Sequence, residues 1–161
     1  MDIKRRLNEN LTIFKSLRFP FKCKKKSFNR YKVTVGIGGN VGDVKRRFEH
    51  LFVNLKKDKR IELLQTSLIL KNPPFGFEAQ DDFFNSIIVL QVNMQPLVFL
   101  RYLHSIENKF ARKRSFANAP RTLDLDIIFF DNRIVKTNRL VIPHAQWAKR
   151  DSVVIPLEGL K

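Results

Sequence analysis

Residues 120–131 constrain the fold of this chain more than any other segment, because they place acidic side chains within an apolar run. From Leu123 onward, leucine, isoleucine and phenylalanine follow one another without helical spacing, which predicts a β-strand. Side chains alternate between the faces of a strand, so Asp124 and Asp126 are predicted to share one face, with Ile128 beyond them. The opposite face is predicted to carry Leu125, Ile127 and Phe129.

The two aspartates allow two interpretations. Like charges side by side on an apolar strand repel each other, and burial raises that cost. A magnesium ion between the aspartates would replace this repulsion by attraction, since Mg²⁺ binds a few carboxylate oxygens together with water and phosphate. Arg121, just upstream, offers a planar fork suited to phosphate. Alternatively, the aspartates solvate the end of the strand and Arg121 pairs with one of them; the short motif alone leaves both interpretations open.

Length and composition predict one domain with an apolar core, since the chain has 161 residues of which 43% are hydrophobic. Cys23 is the only cysteine, which fits a reducing compartment, and no apolar run is long enough to span a bilayer. We therefore predict a cytoplasmic protein. The formal net charge of +16 favours nucleic acid, anionic lipid or nucleotide phosphates as ligands.

Residues 1–30 hold ten Lys and Arg against two Asp and Glu, and they lack sustained periodicity. They are predicted to form a basic N-terminal extension that is flexible or marginally helical around residues 11–17. Because the extension precedes the first predicted strand, it is also predicted to be dispensable for chemistry. The remaining residues, 31–161, are predicted to form a single domain.

Hydrophobic periodicity then predicts an ordered series of elements. The predicted strands are 31–37, 61–70, 83–92 and the run from Leu123. The predicted helices are 43–57 and about 96–110. The glycines that begin at Gly36 indicate mainly a turn, and residues 72–82 a loop with two prolines and a glycine. Residues 134–135 and 140–142 suit a small C-terminal hairpin. The resulting fold class is α+β: a ferredoxin-like βαββαβ antiparallel sheet with helices on one face.

The string Pro-Arg-Thr-Leu-Asp-Leu-Asp-Ile-Ile at residues 120–128 resembles the signature of the 6-hydroxymethyl-7,8-dihydropterin pyrophosphokinases, enzymes of folate synthesis. The resemblance covers roughly residues 33–157 and implies the same ferredoxin-like fold. It implies that ATP gives its pyrophosphate to the pterin and that AMP is released. It further implies two Mg²⁺ ions held by Asp124 and Asp126, and ATP and the pterin as partners. A monomer without membrane or specific nucleic-acid partners is expected.

The same resemblance assigns the site residues. The catalytic residues that it implies are Arg112, Arg114, Asp124 and Asp126. The ATP-binding residues that it implies are Glu107, Arg121, Ile127, Arg139, His144 and Arg150. The pterin-binding residues that it implies are Asn72, Pro73, Pro74, Phe75, Phe83 and Asn85. Independently, Phe83 and Asn85 are predicted to share a strand face, where a ring could stack and an amide could pair with its edge. Glu107 ends a helix where the macrodipole disfavours an anion, so a cation such as Arg112 or an outside ligand is expected beside it.

The sequence departs from the family pattern at several of these positions. Asn72 stands where the family has threonine, and Gly39 where it has serine. Ser152 aligns with a second aromatic residue that sandwiches the pterin, so that role passes to Phe116 or Trp147 or is absent. Further departures near the adenine and phosphate contacts are Ala117, Asn118 and Ala145.

Two other functions remain compatible with the residues. RNA-recognition domains share the predicted topology and would suit the charge, although their basic and aromatic strand motif is missing. A phosphotransferase acting on another hydroxylated heterocycle is the second alternative, because stacking and an amide are not unique to pterin recognition.

Overall fold

The structure is a computed structural model, and it describes residues 3–110, 120 and 122–160. The strands are β1 (Ile3–Arg6), β2 (Thr12–Lys15), β3 (Phe21–Lys22), β4 (Tyr31–Gly39), β5 (Ile61–Thr66), β6 (Ile69–Asn72), β7 (Phe83–Val92), β8 (Asp124–Phe130), β9 (Val135–Lys136) and β10 (Val141–Ile142). The α-helices are α1 (Val44–Lys57), α2 (Pro96–Lys109) and α3 (Asp151–Glu158), and a short 3-10 helix covers Trp147–Lys149.

Strands β1 to β8 form one sheet in which every described pairing is antiparallel. The long strand β7 lies at its centre, with β4 on one side and β8 beyond β4. On its other side, the first residues of β7 pair with β6 and the later ones with β5. The single strand predicted over residues 61–70 is therefore two strands, separated at Ser67, whose hydroxyl accepts the N–H of Ile87 at 2.8 Å. The short strands β9 and β10 pair with each other in a separate sheet.

Helices α1 and α2 cover one face of this sheet and enclose the main core. The side-chain oxygen of Asp43 accepts the N–H of Arg46 at 3.1 Å and so caps α1, one residue before the first helical residue. Pro96 begins α2, where its missing N–H has no cost. The buried faces of both helices follow the spacing that the sequence predicts. None of the helices in the described residues is long and apolar enough to cross a membrane.

Helix α3 lies on the opposite face, so the prediction of helices on one face only is wrong. Val153 of α3 packs there in a second, smaller cluster with Ile87, Val89 and Ile128. The ring of Trp147 meets that of Phe129 edge-on in the same cluster, with centroids 5.0 Å apart. The sheet thus has one face closed by two helices and one face covered only in part.

A β-bulge near the end of β8 changes the predicted alternation of its side chains. Val35 pairs with Ile127 but its neighbour Thr34 pairs with Phe129, so β8 carries one extra residue. Phe129 therefore lies with Ile128 on the α3 face, and Phe130 enters the main core. The prediction that Phe129 faces away from Ile128 is wrong, because a bulge shifts every following residue to the other face.

The N-terminal segment is part of the sheet, and the helix predicted around residues 11–17 is wrong. Strand β2 pairs with β6, β1 pairs with β2, and β3 pairs with β5. Phe19 is fully buried between the rings of Phe48 and Phe52, at centroid distances of 5.8 and 6.3 Å. Glu49 of α1 accepts hydrogen bonds from the Ser16 hydroxyl and the Arg18 backbone N–H. Aromatic burial against α1 thus favours strands over the weak local helical preference.

The end of α1 is joined to α2 through a polar cluster that predicts acid sensitivity. Hydrogen bonding to Arg60, together with that from the Tyr102 hydroxyl, lowers the pKa of Asp58 from 3.8 to about 2. Because the folded-state pKa lies below the unfolded value, this stabilisation is complete above about pH 4 and is lost as the pH falls towards 2. Asp58→Asn is expected to remove part of the loss of stability over that interval in denaturant titrations. An unchanged difference between pH 6 and pH 2 would contradict the assignment.

Candidate active site

The floor of the candidate site is a strip of sheet without side chains. Gly36 and Gly38 of β4 lie on the α3 face between β7 and β8. Gly38 is opposite Asn85 on one side and Asp124 on the other. Asp126 is likewise opposite Gly36. The prediction that these glycines mainly form a turn is wrong, since β4 continues to Gly39, and two alternate glycines instead open a groove beside the aspartates.

This groove is the base of a pocket with an empty volume of about 690 Å³. Strands β4, β7 and β8, the loop before β7 and the start of α3 all contribute to its walls. The lining residues are Gly36, Ile37, Gly38, Phe75, Phe83, Asn85, Ser86, Asp124, Asp126, Ile128, His144, Arg150, Ser152 and Val153. The pocket therefore brings together aromatic, amide, carboxylate, imidazole and guanidinium groups, which is typical of a binding site for a polar heterocycle and an anion.

The amide of Asn85 is held across three strands. Its Nδ2 donates to Oδ1 of Asn72 in β6 at 2.6 Å. Nδ2 of Asn72 in turn donates to the carbonyl oxygen of Pro73 at 2.9 Å. On the other side, a Cβ atom added to Gly38 would lie 2.5 Å from Oδ1 of Asn85, so the amide occupies the space that glycine leaves. Asn85, which is an unusual residue for a strand, thus has a defined position on the floor of the pocket.

Two phenylalanines supply aromatic walls. Phe83 lies on the same face of β7 as Asn85, as predicted from their spacing, and both line the pocket. Phe75 comes from the loop before β7, and 45% of its surface is exposed. The guanidinium of Arg150 lies 5.6 Å from the centre of the Phe75 ring, an attractive cation–π geometry. Trp147, an alternative for the second stacking residue, packs instead against Phe129, and Phe116 lies outside the described residues.

Asp124, Asp126 and His144 form the polar side of the pocket. Both aspartates are half-buried and share one face, as the strand alternation predicts. Burial and the nearby charge of Arg150 lower the pKa of His144 below 6.5, while Asp124 opposes that shift. Nδ1 of His144 accepts the backbone N–H of Gln146 at 3.1 Å. Neutral His144 therefore carries its proton on Nε2, from which it can donate a hydrogen bond.

Other residues fix the loops around this pocket, and sequence reasoning missed them. Buried Asn40 donates through Nδ2 to the Gln80 side chain and to the Asp81 carbonyl, at 2.9 Å each. Arg47 of α1 donates to the carbonyls of Val41 and Thr122, at 2.7 and 2.9 Å. Asn40 thus connects the end of β4 to the loop before β7. Arg47 connects the segment that follows β4 to the segment that precedes β8. The sequence signal for Asn40 was its place in the stretch that resembles the Gly-Ser-Asn turn of the family, and Arg47 had none.

Several predicted site residues lie elsewhere. Glu107 is 2% exposed and accepts the backbone N–H of Leu125 at 2.9 Å, so a peptide group, rather than only a cation or an outside ligand, meets its charge. The side chain of Ile127 belongs to the main core, and Arg139 is exposed between β9 and β10. Asn72, Pro73 and Pro74 adjoin the pocket without lining it. Predicted residues outside the described part of the chain are Arg112, Arg114 and Arg121.

Comparison with known proteins decides among the functions that this pocket allows. A family model, 7,8-dihydro-6-hydroxymethylpterin-pyrophosphokinase, matches residues 34–161 and so includes most strands of the sheet and all lining residues. The chain belongs to this family. The family is named for the transfer of pyrophosphate to 6-hydroxymethyl-7,8-dihydropterin, a step of folate synthesis in which ATP is the donor.

Individual relatives support the family over nearly the whole chain. A 2-amino-4-hydroxy-6-hydroxymethyldihydropteridine pyrophosphokinase of Campylobacter jejuni is 40% identical over 143 residues, which are 89% of this chain and 91% of the relative. The enzyme of the same name from Helicobacter pylori is 37% identical over 147 residues, 90% of each chain. That of Synechocystis is 36% identical over 139 residues, 86% of this chain and 67% of the relative.

Proposed function

We propose that the pocket on the α3 face is where ATP and 6-hydroxymethyl-7,8-dihydropterin react. The pterin hydroxymethyl oxygen forms a bond to the β-phosphorus, the bond from that phosphorus to the oxygen bridging it to the α-phosphorus breaks, and AMP leaves. The hydroxyl proton is released. The observation that carries the proposal is the glycine floor, which places the Asn85 amide and the two aspartates in one pocket.

The pterin is proposed to lie against Phe83 with its polar edge at Asn85. An offset-stacked aromatic ring suits a flat heterocycle, and a fixed amide suits its hydrogen-bonding edge. Phe75 is proposed as the second aromatic wall, because it lines the pocket while Ser152 stands at the aligned position. Pro73 and Pro74 are proposed to shape the loop that carries Phe75.

The triphosphate is proposed to lie on the side of Asp124, Asp126, His144 and Arg150. His144 would donate from Nε2, and Arg150 would supply a fixed positive charge. Arg112, Arg114 and Arg121 remain proposed phosphate ligands on the family resemblance, and Glu107, Ile127 and Arg139 remain proposed parts of the ATP site on the same ground. These groups act by positioning and by electrostatic stabilisation.

Asp124 and Asp126 are proposed to hold Mg²⁺, two ions by the family resemblance. The donor set fits, because magnesium takes one or two carboxylates and completes its shell with water and substrate phosphate. The described residues contain no group of three or more His, Cys, Asp or Glu that could hold a metal alone, so water and phosphate oxygens would complete its shell. Bound there, magnesium would neutralise charge that develops on the transferred phosphates.

The finer assignments of fold and setting belong to the same proposal. The order β5–β7–β4–β8, with α1 and α2 on one face, supports a ferredoxin-like core over residues 31–161. The pairing of β9 with β10 supports the C-terminal hairpin. We propose a cytoplasmic monomer without specific nucleic-acid partners, in line with the single cysteine and the small-molecule pocket.

Product analysis tests the reaction. The protein is incubated with Mg-ATP and 6-hydroxymethyl-7,8-dihydropterin, and the nucleotide products are separated. We expect AMP in equal amount to the pterin diphosphate. ADP as the product would indicate transfer of a single phosphoryl group, and the absence of turnover by the folded protein would contradict the proposed reaction.

The glycine floor gives a matched pair of variants. In Gly38→Ala the new methyl group meets Oδ1 of Asn85 at 2.5 Å, so the amide has to move. In Gly36→Ala it meets the flexible end of Ile128 at 3.3 Å, which can yield. We expect Gly38→Ala to raise the KM for the pterin by about tenfold or more, since a buried polar contact is worth about 1–3 kcal/mol, and Gly36→Ala to raise it far less. Equal effects of the two variants would contradict the role of the Asn85 amide.

A further inference from the structure

We propose that Asn72 is a positioning residue that fixes the direction of the Asn85 amide, so that the pocket reads an N–H donor on its substrate. The inference rests on the proposed function and deepens it. It changes the part expected of Asn72 from a direct pterin contact to an indirect one. It also gives a physical role to a position where this chain departs from the threonine of the family.

The direction of the Asn85 amide follows from a chain of two hydrogen bonds, which starts at a group that can only accept. The carbonyl oxygen of Pro73 can only accept, so the side-chain atom of Asn72 that meets it at 2.9 Å must be the donor, Nδ2. Oδ1 of Asn72 is thereby turned towards β7. The atom of Asn85 that meets this oxygen at 2.6 Å must again be the donor, Nδ2. Each amide is thus oriented by the one before it.

The consequence appears on the side of Asn85 that faces β4. With Nδ2 directed to Asn72, Oδ1 lies over Gly38, in the direction of Asp124. This part of the pocket is therefore lined by acceptor atoms: one amide oxygen and the carboxylates. A heterocycle that presents an N–H or amino group here would be bound, and one that presents a ring nitrogen or carbonyl oxygen would be rejected.

Asn72 performs this function without access to the substrate. It is 2% exposed and does not line the pocket, although Asn85 does. One of its two polar atoms is engaged by Pro73 and the other by Asn85. Its place at the end of β6, diagonal to Asn85 across the β6–β7 pairing, keeps the two amides within reach. The side chain thus acts on the substrate only through Asn85.

The first test uses two variants of equal shape at position 72. In Asn72→Thr a hydroxyl can donate to Pro73 and accept from Asn85, so the direction of the amide is kept. In Asn72→Val both hydrogen bonds are absent and the Asn85 amide can turn over. Both residues are β-branched and suit a strand, which limits differences in folding. We expect Asn72→Val to raise the KM for the pterin about tenfold above that of Asn72→Thr, with the KM for ATP equal in both.

The second test asks whether the loss acts through the Asn85 amide. In an Asn85→Ala background no amide is left to orient, so the side chain at position 72 has nothing through which to act on the substrate. We therefore expect Asn72→Val to raise the pterin KM when residue 85 is asparagine, and to have little effect when it is alanine. Such a double-mutant cycle isolates the coupling of the two positions, because any general loss of stability is common to both backgrounds.

The outcomes separate the inference from the function on which it depends. A wild-type protein that does not form AMP and pterin diphosphate contradicts the proposed function. With an active wild type, equal pterin KM values for Asn72→Thr and Asn72→Val overturn the orienting role. That role is also overturned if Asn72→Val raises the pterin KM by the same factor in both backgrounds, or if it raises the KM for ATP as much as that for the pterin. A merely structural role of Asn72 predicts those two results.

Discussion

Replacing Asp124 or Asp126 by asparagine is expected to reduce turnover by about a thousandfold, which corresponds to ~4 kcal/mol of transition-state stabilisation. Asparagine keeps the size and shape of the side chain but removes the charge that would hold magnesium at the triphosphate. Stability is expected to change little, because the two half-buried carboxylates repel each other on one strand face and the substitution relieves that repulsion. Thermal melts and steady-state kinetics on both variants measure the two effects.

Asp131 supplies the matched control. It follows the same strand, is exposed, and accepts the N–H of Lys32 at 2.8 Å, a bond that the asparagine oxygen can also make. Its backbone φ of 47° lies in the left-handed region, which asparagine tolerates. Asp131→Asn is therefore expected to leave turnover within about threefold of wild type. Destabilised Asp124 and Asp126 variants that retain near-normal turnover would show that these carboxylates serve the fold.

Removal of residues 1–28 is expected to prevent stable folding, in contrast to the prediction from the sequence that this extension is dispensable. Deletion takes away the partner strands of β5 and β6 and exposes the rings of Phe48 and Phe52. The loss of several buried aromatic contacts exceeds the net stability of a typical domain, which is about 5–15 kcal/mol. Circular dichroism and the yield of soluble protein measure the outcome, and a folded, active shortened chain would contradict it.

A milder form of the same test uses single substitutions. Phe19→Ala empties a fully buried position against α1 and is expected to cost about 3–5 kcal/mol in the free energy of unfolding. Leu17→Ala, two residues away, changes a side chain that is 77% exposed and is expected to cost less than about 0.5 kcal/mol. Urea titrations of both variants give the comparison, and similar costs would indicate that the segment does not pack as described.

Local sequence patterns predicted the elements whose form is encoded in a few consecutive residues. The apolar spacing of α1 predicted that helix to within a residue, and Pro96 marked the start of α2. The alternation of β8 placed Asp124 and Asp126 on one face, and that of β7 placed Phe83 with Asn85. These predictions succeed because strand period, helix period and capping are properties of a few consecutive residues.

Other elements depend on partners that the sequence does not display. Strand β1 consists of exposed, mostly basic residues, so its sequence has no pattern of a strand. It is a strand because it forms hydrogen bonds with β2. Helix α3 contains Pro156, which argues against a helix locally but is accepted at a buried position on the sheet. The glycines of β4 resemble a turn in the sequence, which does not show that Asn85 and the aspartates lie beside them on the neighbouring strands. Tertiary context decides each of these cases.

The position of the metal ion tests the proposed site most directly. Mn²⁺ is titrated into the protein bound to a non-hydrolysable ATP analogue, and paramagnetic broadening of backbone amide signals is followed by NMR. We expect the signals of Gly36, Gly38 and Ile128 to broaden first, because these residues adjoin Asp124 and Asp126 on the pocket floor. This early broadening is expected to disappear in the Asp124→Asn, Asp126→Asn double variant. Broadening centred on another surface, or unchanged in the double variant, would contradict a metal site at these two aspartates.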